Sequence, residues 1–285
     1  MDPSNQDIRS LARMSQDPST RDLALNELHN TLLRLLAFFV PDPDAFCTML
    51  TQTGSLITGQ ATLWFMLRAE GWRKPQSLKL VCPWDQFHNV LKYISAMPGA
   101  HESVYPETMG YHGGIRVDVY GNHSHRLIQT NMGFIELIQS AFGSAFHAIP
   151  FQSATHLMNV LTPSLFISPY PKLNLSRVTI TSPLRTHCLS PEERSFIDEY
   201  KFTCHTSSTA LGGLEETCYN FPACCKRQRT FADEDCMVIL MAVDSDPKLA
   251  DTLLETQCTA WRLGGKACGN SRCILPRDRH VDSHI

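Results

Sequence analysis

The stretch from Thr53 to Pro83 constrains this chain more than any other, because it reads as strand, tight turn, helix, loop and second strand in succession. Ser55 to Thr58 is a short β-prone run, Gly59 supplies a permissive turn, and Ala61 to Arg68 carries good helix formers that end near Gly71. Leu78, Leu80 and Val81 then read as a buried strand that Pro83 stops. The unit predicts an α/β or α+β protein with a small mixed sheet and flanking helices.

The rest of the chain is read around that unit. Residues 1–18 are expected to be a flexible polar lead. Ser19 or Thr20 caps a helix in which Leu25, Leu28, Leu32, Leu35, Leu36 and Phe39 recur at three- and four-residue steps. Asp42 followed by Pro43 starts another, and Phe87 to Ile94 is a short amphipathic helix ended by Pro98-Gly99. Ile115 to Tyr120 and Arg126 to Thr130 flank a polar loop and predict a hairpin. Gly133 to Ala141 and Gln152 to Leu161 show helical spacing, whereas Leu173 to Ile180 resembles a returning strand. Ser190-Pro-Glu-Glu193 is a capping box that opens a helix to about Tyr200. Met237 to Val243 predicts a strand, Asp246-Pro247 caps a helix to about Leu263, and residues 274–285 form a tail. The expected organisation is a 19–182 core with its amino-terminal helices, followed by a helical, Cys-rich subdomain over 183–273.

At 285 residues there is enough chain for a sizeable core. A hydrophobic fraction of 43% and a charged fraction of 19% argue against wholesale disorder. The formal charge of −3 offers no broad attraction to nucleic acid or to an anionic membrane. Leu32 to Val40 is apolar but is interrupted by Arg34 and ended by Pro41, far short of the roughly 20 residues of a membrane helix. The polar, acidic amino terminus lacks the order of a secretory signal, so an intracellular protein, cytoplasmic or nuclear, is expected. Eleven cysteines, an odd number, then fit reduced thiols better than a disulfide framework.

Several segments also carry a resemblance. Thr53-Gly-Ser-Leu-Ile-Thr-Gly-Gln-Ala-Thr-Leu-Trp-Phe65, Lys74-Pro-Gln-Ser-Leu-Lys-Leu-Val-Cys-Pro83, the run from Pro150 to Leu161 with Tyr170-Pro-Lys-Leu173, Cys218 through Cys236, and Trp261-Arg-Leu-Gly-Gly265 come in this order. Together they resemble a family of uncharacterised fungal proteins whose fold looks like the nucleotidyltransferase fold of the DNA polymerase beta superfamily. Active members of that superfamily hold a triphosphate on a glycine turn and divalent metal on an acidic, hydrophobic, acidic triplet. The chemistry requires those types, because Mg²⁺ takes carboxylate oxygens and phosphate takes exposed backbone N–H groups at a helix start.

In this chain the matching positions are Gly59-Gln60 for the turn and Ser77-Leu78-Lys79 for the triplet. A third carboxylate is expected near Leu127-Ile128-Gln129-Thr130, where Gln129 is neutral. Lys79 places an ammonium where a metal would sit, which adds repulsion instead of a ligand. The resemblance therefore implies a degenerate member without catalysis, a binding or scaffold module that takes a protein partner or a nucleotide. Gly59, Gln60, Ser77, Lys79 and Gln129 are its candidate remnant pocket, against a plain reading in which Gly59 makes a turn and Lys79 is solvated. The alternatives are an active nucleotidyl- or phosphotransferase with a rearranged site, and a zinc-stabilised interaction module.

The zinc reading rests on Cys218, Cys224, Cys225 and Cys236 as thiolate ligands, although no C-x-x-C pair occurs and small buried hydrophobes are the preferred role. Cys47 or Ser55 with His88 or His156 lacks any nucleophile-elbow pattern, and His156 reads as a hydrogen-bonded core histidine. Lys226-Arg-Gln-Arg229 beside Asp233-Glu-Asp235 is a poor footprint for nucleic acid and reads as a solvated loop.

Overall fold

The computed structural model describes residues 2–68, 74–103, 125–181, 191–206, 227–241 and 249–263. Four helices precede or join the first strands: α1 (Ile8–Met14), α2 (Arg21–Leu36), α3 (Pro43–Thr53) and α4 (Gln60–Leu67). The first of these corrects the expected flexible lead. Asp7 caps α1 by accepting from the Ser10 amide, and Ile8 and Leu11 are buried against the core, so the polar composition of this stretch hides one apolar stripe.

Strand β1 (Leu56–Thr58) leads through Gly59 into α4, and β2 (Ser77–Cys82) follows, as expected from Thr53 to Pro83. After α5 (Phe87–Ser95) come β3 (His101–Ser103), β4 (His125–Gln129), β5 (Phe134–Gln139), β6 (Val160–Leu161) and β7 (Leu165–Ser168). Then follow α6 (Pro171–Leu175), β8 (Val178–Ile180), α7 (Pro191–Glu199), β9 (Thr203–His205), β10 (Arg229–Thr230), β11 (Met237–Leu240), α8 (Leu249–Cys258) and β12 (Ala260–Trp261).

Eight of these strands form one mixed sheet in the order β11-β7-β6-β1-β2-β5-β4-β3. Pairing is antiparallel except between β2 and β5, which run parallel with Lys79 opposite Glu136. The two-residue period then divides each strand between two faces. Leu78, Leu80 and Cys82 join Ile135 and Leu137 in the core that α2 to α5 cover, whereas Val81 and Ile138 point into a second core with Phe146, Ile149, Phe231 and Trp261. Ser77, Lys79 and Glu136 share the face of Val81 and Ile138, which is how charged side chains come to sit over a sheet that is buried on both sides.

Three local expectations are overturned. Phe134 to Gln139 is a strand and not a helix, because both of its faces are covered and its apolar run satisfies either period. Gln152 to Leu161 holds a 3₁₀ turn at Thr155–Leu157 and then β6. Leu173 to Ile180 divides into α6 and β8 at Arg177, whose φ of 57° breaks the extended path. The partner predicted for β4, Ile115 to Tyr120, lies outside the described residues; among those described, β4 pairs with β3 and β5.

Candidate functional site

The sequence candidates gather at the end of β1 and β2 where Gly59 opens α4. Gly59 has φ 75° and ψ −144°, a conformation that L side chains rarely adopt, so the turn requires glycine on backbone grounds. Its N–H donates to the Leu157 carbonyl at 3.2 Å, and Thr58 Oγ1 donates to the Leu157 and Asn159 carbonyls at 2.9 Å each. The 3₁₀ turn at Thr155–Leu157 is thereby tied to the strand end.

Lys79 stands opposite Thr58 across the β1–β2 pair and packs its stem against Gly59. Its ammonium lies 3.8 Å from Glu136 Oε2 and 4.0 Å from Glu193 Oε1, and its side chain retains only 15% of its exposure. Glu136 also accepts a 2.7 Å hydrogen bond from Ser77 Oγ and has His125 Nε2 at 3.6 Å. Burial pushes the Glu136 carboxyl up, but the Lys79 charge, His125 and the Ser77 hydroxyl outweigh it and hold that carboxyl well below the usual carboxylate range. Ser153 Oγ donates to the other Glu193 oxygen at 3.4 Å. One ammonium is thus set between two carboxylates, with an imidazole beside the first.

Helix α7 closes this end of the sheet. Phe196 and Tyr200 stack with ring centroids 3.9 Å apart, and both are buried. The crevice they leave with Gln60, Gln76 and Glu199 holds about 10 Å³, room for about one water. Behind them His156 is fully buried, with Nδ1 2.7 Å from Thr179 Oγ1 and its ring against Phe202. Burial pushes its pKa down to about 3, and the nearby Lys79 charge acts in the same direction, so His156 is neutral at pH 7. Its expected role as a core histidine is what the structure has.

Of the remnant-pocket residues, Gly59, Gln60, Ser77 and Lys79 meet here. Gln129 does not. It ends β4 opposite Phe134 and His101, two strands away from β2, while the residue opposite Lys79 is Glu136. Sequence reading missed Glu136 because a helical period was assigned to Gly133 to Ala141. The usable signal was a single carboxylate inside an otherwise apolar run. Glu193 was read only as part of a capping box, and its carboxylate is turned toward Lys79 and Ser153.

A hard divalent cation does not fit this donor set. Ser77 offers a hydroxyl, Lys79 offers only donors, and the Glu136 and Glu193 carboxylates stand on either side of the Lys79 ammonium, whose charge repels a cation. Elsewhere, Cys218, Cys224 and Cys225 lie outside the described residues. Cys236 is half-buried beside Arg229 and Asp233, and its thiol donates to the Thr230 carbonyl; burial pushes it up to about 12. Among the described residues no group of three His, Cys, Asp or Glu is placed to hold a metal ion. Cys47 is a buried thiol, also pushed up to about 12 by burial, which removes it as a nucleophile at neutral pH.

The basic cluster departs from its expected solvated state. Arg229 is fully buried, forks onto both oxygens of Asp233, donates to the Pro169 carbonyl at 2.9 Å and lies 4.9 Å from the centre of the Tyr170 ring. Arg227 pairs with Glu234 and Asp235. These cations are structural.

No protein-family model, no curated protein and no solved structure matches the chain. Among the described residues no helix is long and apolar enough to cross a membrane.

Proposed function

We propose that the protein is a non-catalytic module of nucleotidyltransferase-like type that works by binding a partner and not by transferring a nucleotide. The observation that carries this reading is Lys79, whose ammonium sits between Glu136 and Glu193 at the place where the resemblance puts catalytic metal. Two features support it further. The order strand, glycine turn, helix and strand on which the resemblance rests is present in β1, Gly59, α4 and β2. Over Gln60, where a triphosphate would lie, α7 leaves space for little more than a water.

The electrostatics run against an anionic ligand at this point. Among the described residues Lys79 is already opposed by two carboxylates, so a phosphate brought near it meets their repulsion as well as its attraction. A thermal-shift titration of the full chain with nucleoside triphosphates, with and without Mg²⁺ or Mn²⁺, tests the proposal, because a ligand that binds only the native state raises its stability by mass action. No shift is expected under either condition. A metal-dependent rise of several degrees, lost on Glu136→Gln, would establish a rearranged transferase site instead.

A further inference from the structure

At the other end of β1 and β2, around Leu56 and Pro83, a cleft of about 250 Å³ opens between the tip of α3, the Gly143 turn and α8. Its depth is apolar, formed by Leu50, Leu56 and Phe146, and its walls carry hydroxyls such as Thr53, Ser55 and Ser164. Its charge is one-sided. Asp85, Asp251 and Glu255 line it, and no lysine, arginine or histidine does so among the described residues. Glu255 accepts a 2.7 Å hydrogen bond from Ser144 Oγ, a neutral donor that leaves its charge in place.

The rim carries a second, independent feature. Large apolar side chains are exposed at only a few described positions, and three of them, Trp84, Phe142 and Leu254, directly adjoin lining residues in the chain. Trp84 and Phe142 are held beside each other, the Trp84 amide donating to the Phe142 carbonyl at 3.3 Å. Exposed large apolar residues that neighbour the lining of one acidic cleft in the chain mark a recognition surface more than scattered ones do.

These observations select the ligand class. An anion is repelled, and the three carboxylates do not form a group able to chelate a metal ion. The volume falls below the roughly 300–1,000 Å³ of pockets for drug-sized molecules, so the cleft encloses a single side chain and not a whole nucleotide. A butylammonium chain suits the site, since its methylenes lie on apolar surface while its three donors meet hydroxyl and carboxylate oxygens. We infer that this cleft binds a lysine side chain presented by a peptide segment of a partner protein, with Trp84, Phe142 and Leu254 receiving the apolar residues that flank the lysine. The inference does not depend on the identity of the Lys79 site.

The test is calorimetric titration of the full chain with four probes: the blocked peptide Ala-Leu-Lys-Leu-Ala, the same peptide with norleucine in place of lysine, its Nε-acetyl-lysine form, and n-butylamine. The lysine peptide is expected to bind at least about tenfold tighter than the two neutral peptides at low salt, and to weaken as added salt screens the rim charges. The D85N/D251N variant changes two exposed side chains, so its melting temperature stays within a degree or two of the parent while its affinity for the lysine peptide falls about tenfold. Trp84→Ala weakens the peptide but leaves butylamine unchanged. Equal affinity for the lysine and norleucine peptides, or unaltered binding by the folded D85N/D251N variant, overturns the inference. Butylamine binding as tightly as the peptide would assign the cleft to a free amine and overturn the assignment of a protein partner.

Discussion

Replacing Lys79 by methionine keeps the stem that packs on Gly59 and removes only the charge. At an effective dielectric of about 20, contacts of 3.8 Å to Glu136 and 4.0 Å to Glu193 are each worth about 4 kcal/mol of attraction. Mutual repulsion of the two carboxylates cancels part of this sum, and Ser77 and His125 still serve Glu136 in the variant. Stranding buried charge by removing one partner typically costs about 3–5 kcal/mol, and Lys79→Met is expected near 3.

The sign of the pH dependence separates this origin from simple loss of packing. In the parent, the depressed Glu136 carboxyl contributes stability that is present above its unfolded value, about 4.3, and is lost as pH falls through the folded one. Without Lys79 the burial contribution dominates, the Glu136 carboxyl rises above that value, and protonation then stabilises the fold. The difference in unfolding free energy between variant and parent, measured by urea denaturation at pH 7.5 and again at pH 5, is therefore expected to shrink by at least about 1 kcal/mol. Adding Glu136→Gln to the variant recovers about half of the loss, because the pair is coupled. A cost below about 1 kcal/mol, or a difference that does not change with pH, would refute the reasoning.

His156 is neutral in the fold with a pKa of about 3, so the unfolded chain binds more protons below about pH 6.5 and stability falls as pH drops through that window. His156→Gln is expected to flatten that slope between pH 6.5 and 4, as read from melting temperatures across the range. Arg229→Lys cannot reproduce the fork onto Asp233 or the contact with the Pro169 carbonyl, and chemical denaturation is expected to show a loss of about 2–3 kcal/mol. Brief iodoacetamide treatment of the native protein followed by peptide mass mapping is expected to label Cys258, which is exposed, while Cys47 and Cys82, buried with thiols pushed up to about 12, react only after unfolding.

Features settled by neighbouring residues were legible from the chain alone. Asp42 accepts from the Ala45 amide at the start of α3, Pro83 follows the last residue of β2, Gly59 takes the turn its lack of a side chain permits, and α2 buries the leucines its spacing marked. In each case the deciding interaction spans a few residues, so composition and spacing carry it. Phe134–Gln139 marks where this stops. An apolar run covered on both faces suits helix and strand alike, and only its place beside β2 resolves it.

The candidate site was half legible for the same reason. Ser77, Lys79 and Gly59 could be named from one contiguous stretch, but the partners of Lys79 come from β5 and α7, far along the chain, and no local pattern couples them. Arg229 likewise looked solvated beside its acidic neighbours until the Pro169 carbonyl and the Tyr170 ring enclosed it. By itself the sequence determined the elements whose stripes and ends are local, such as α2, α3 and β2, and the absence of carboxylates at Ser77 and Lys79. Only the tertiary structure decided which charges meet, because burial and a few ångströms of separation set their energies, and both depend on segments that approach one another only when the sheet closes.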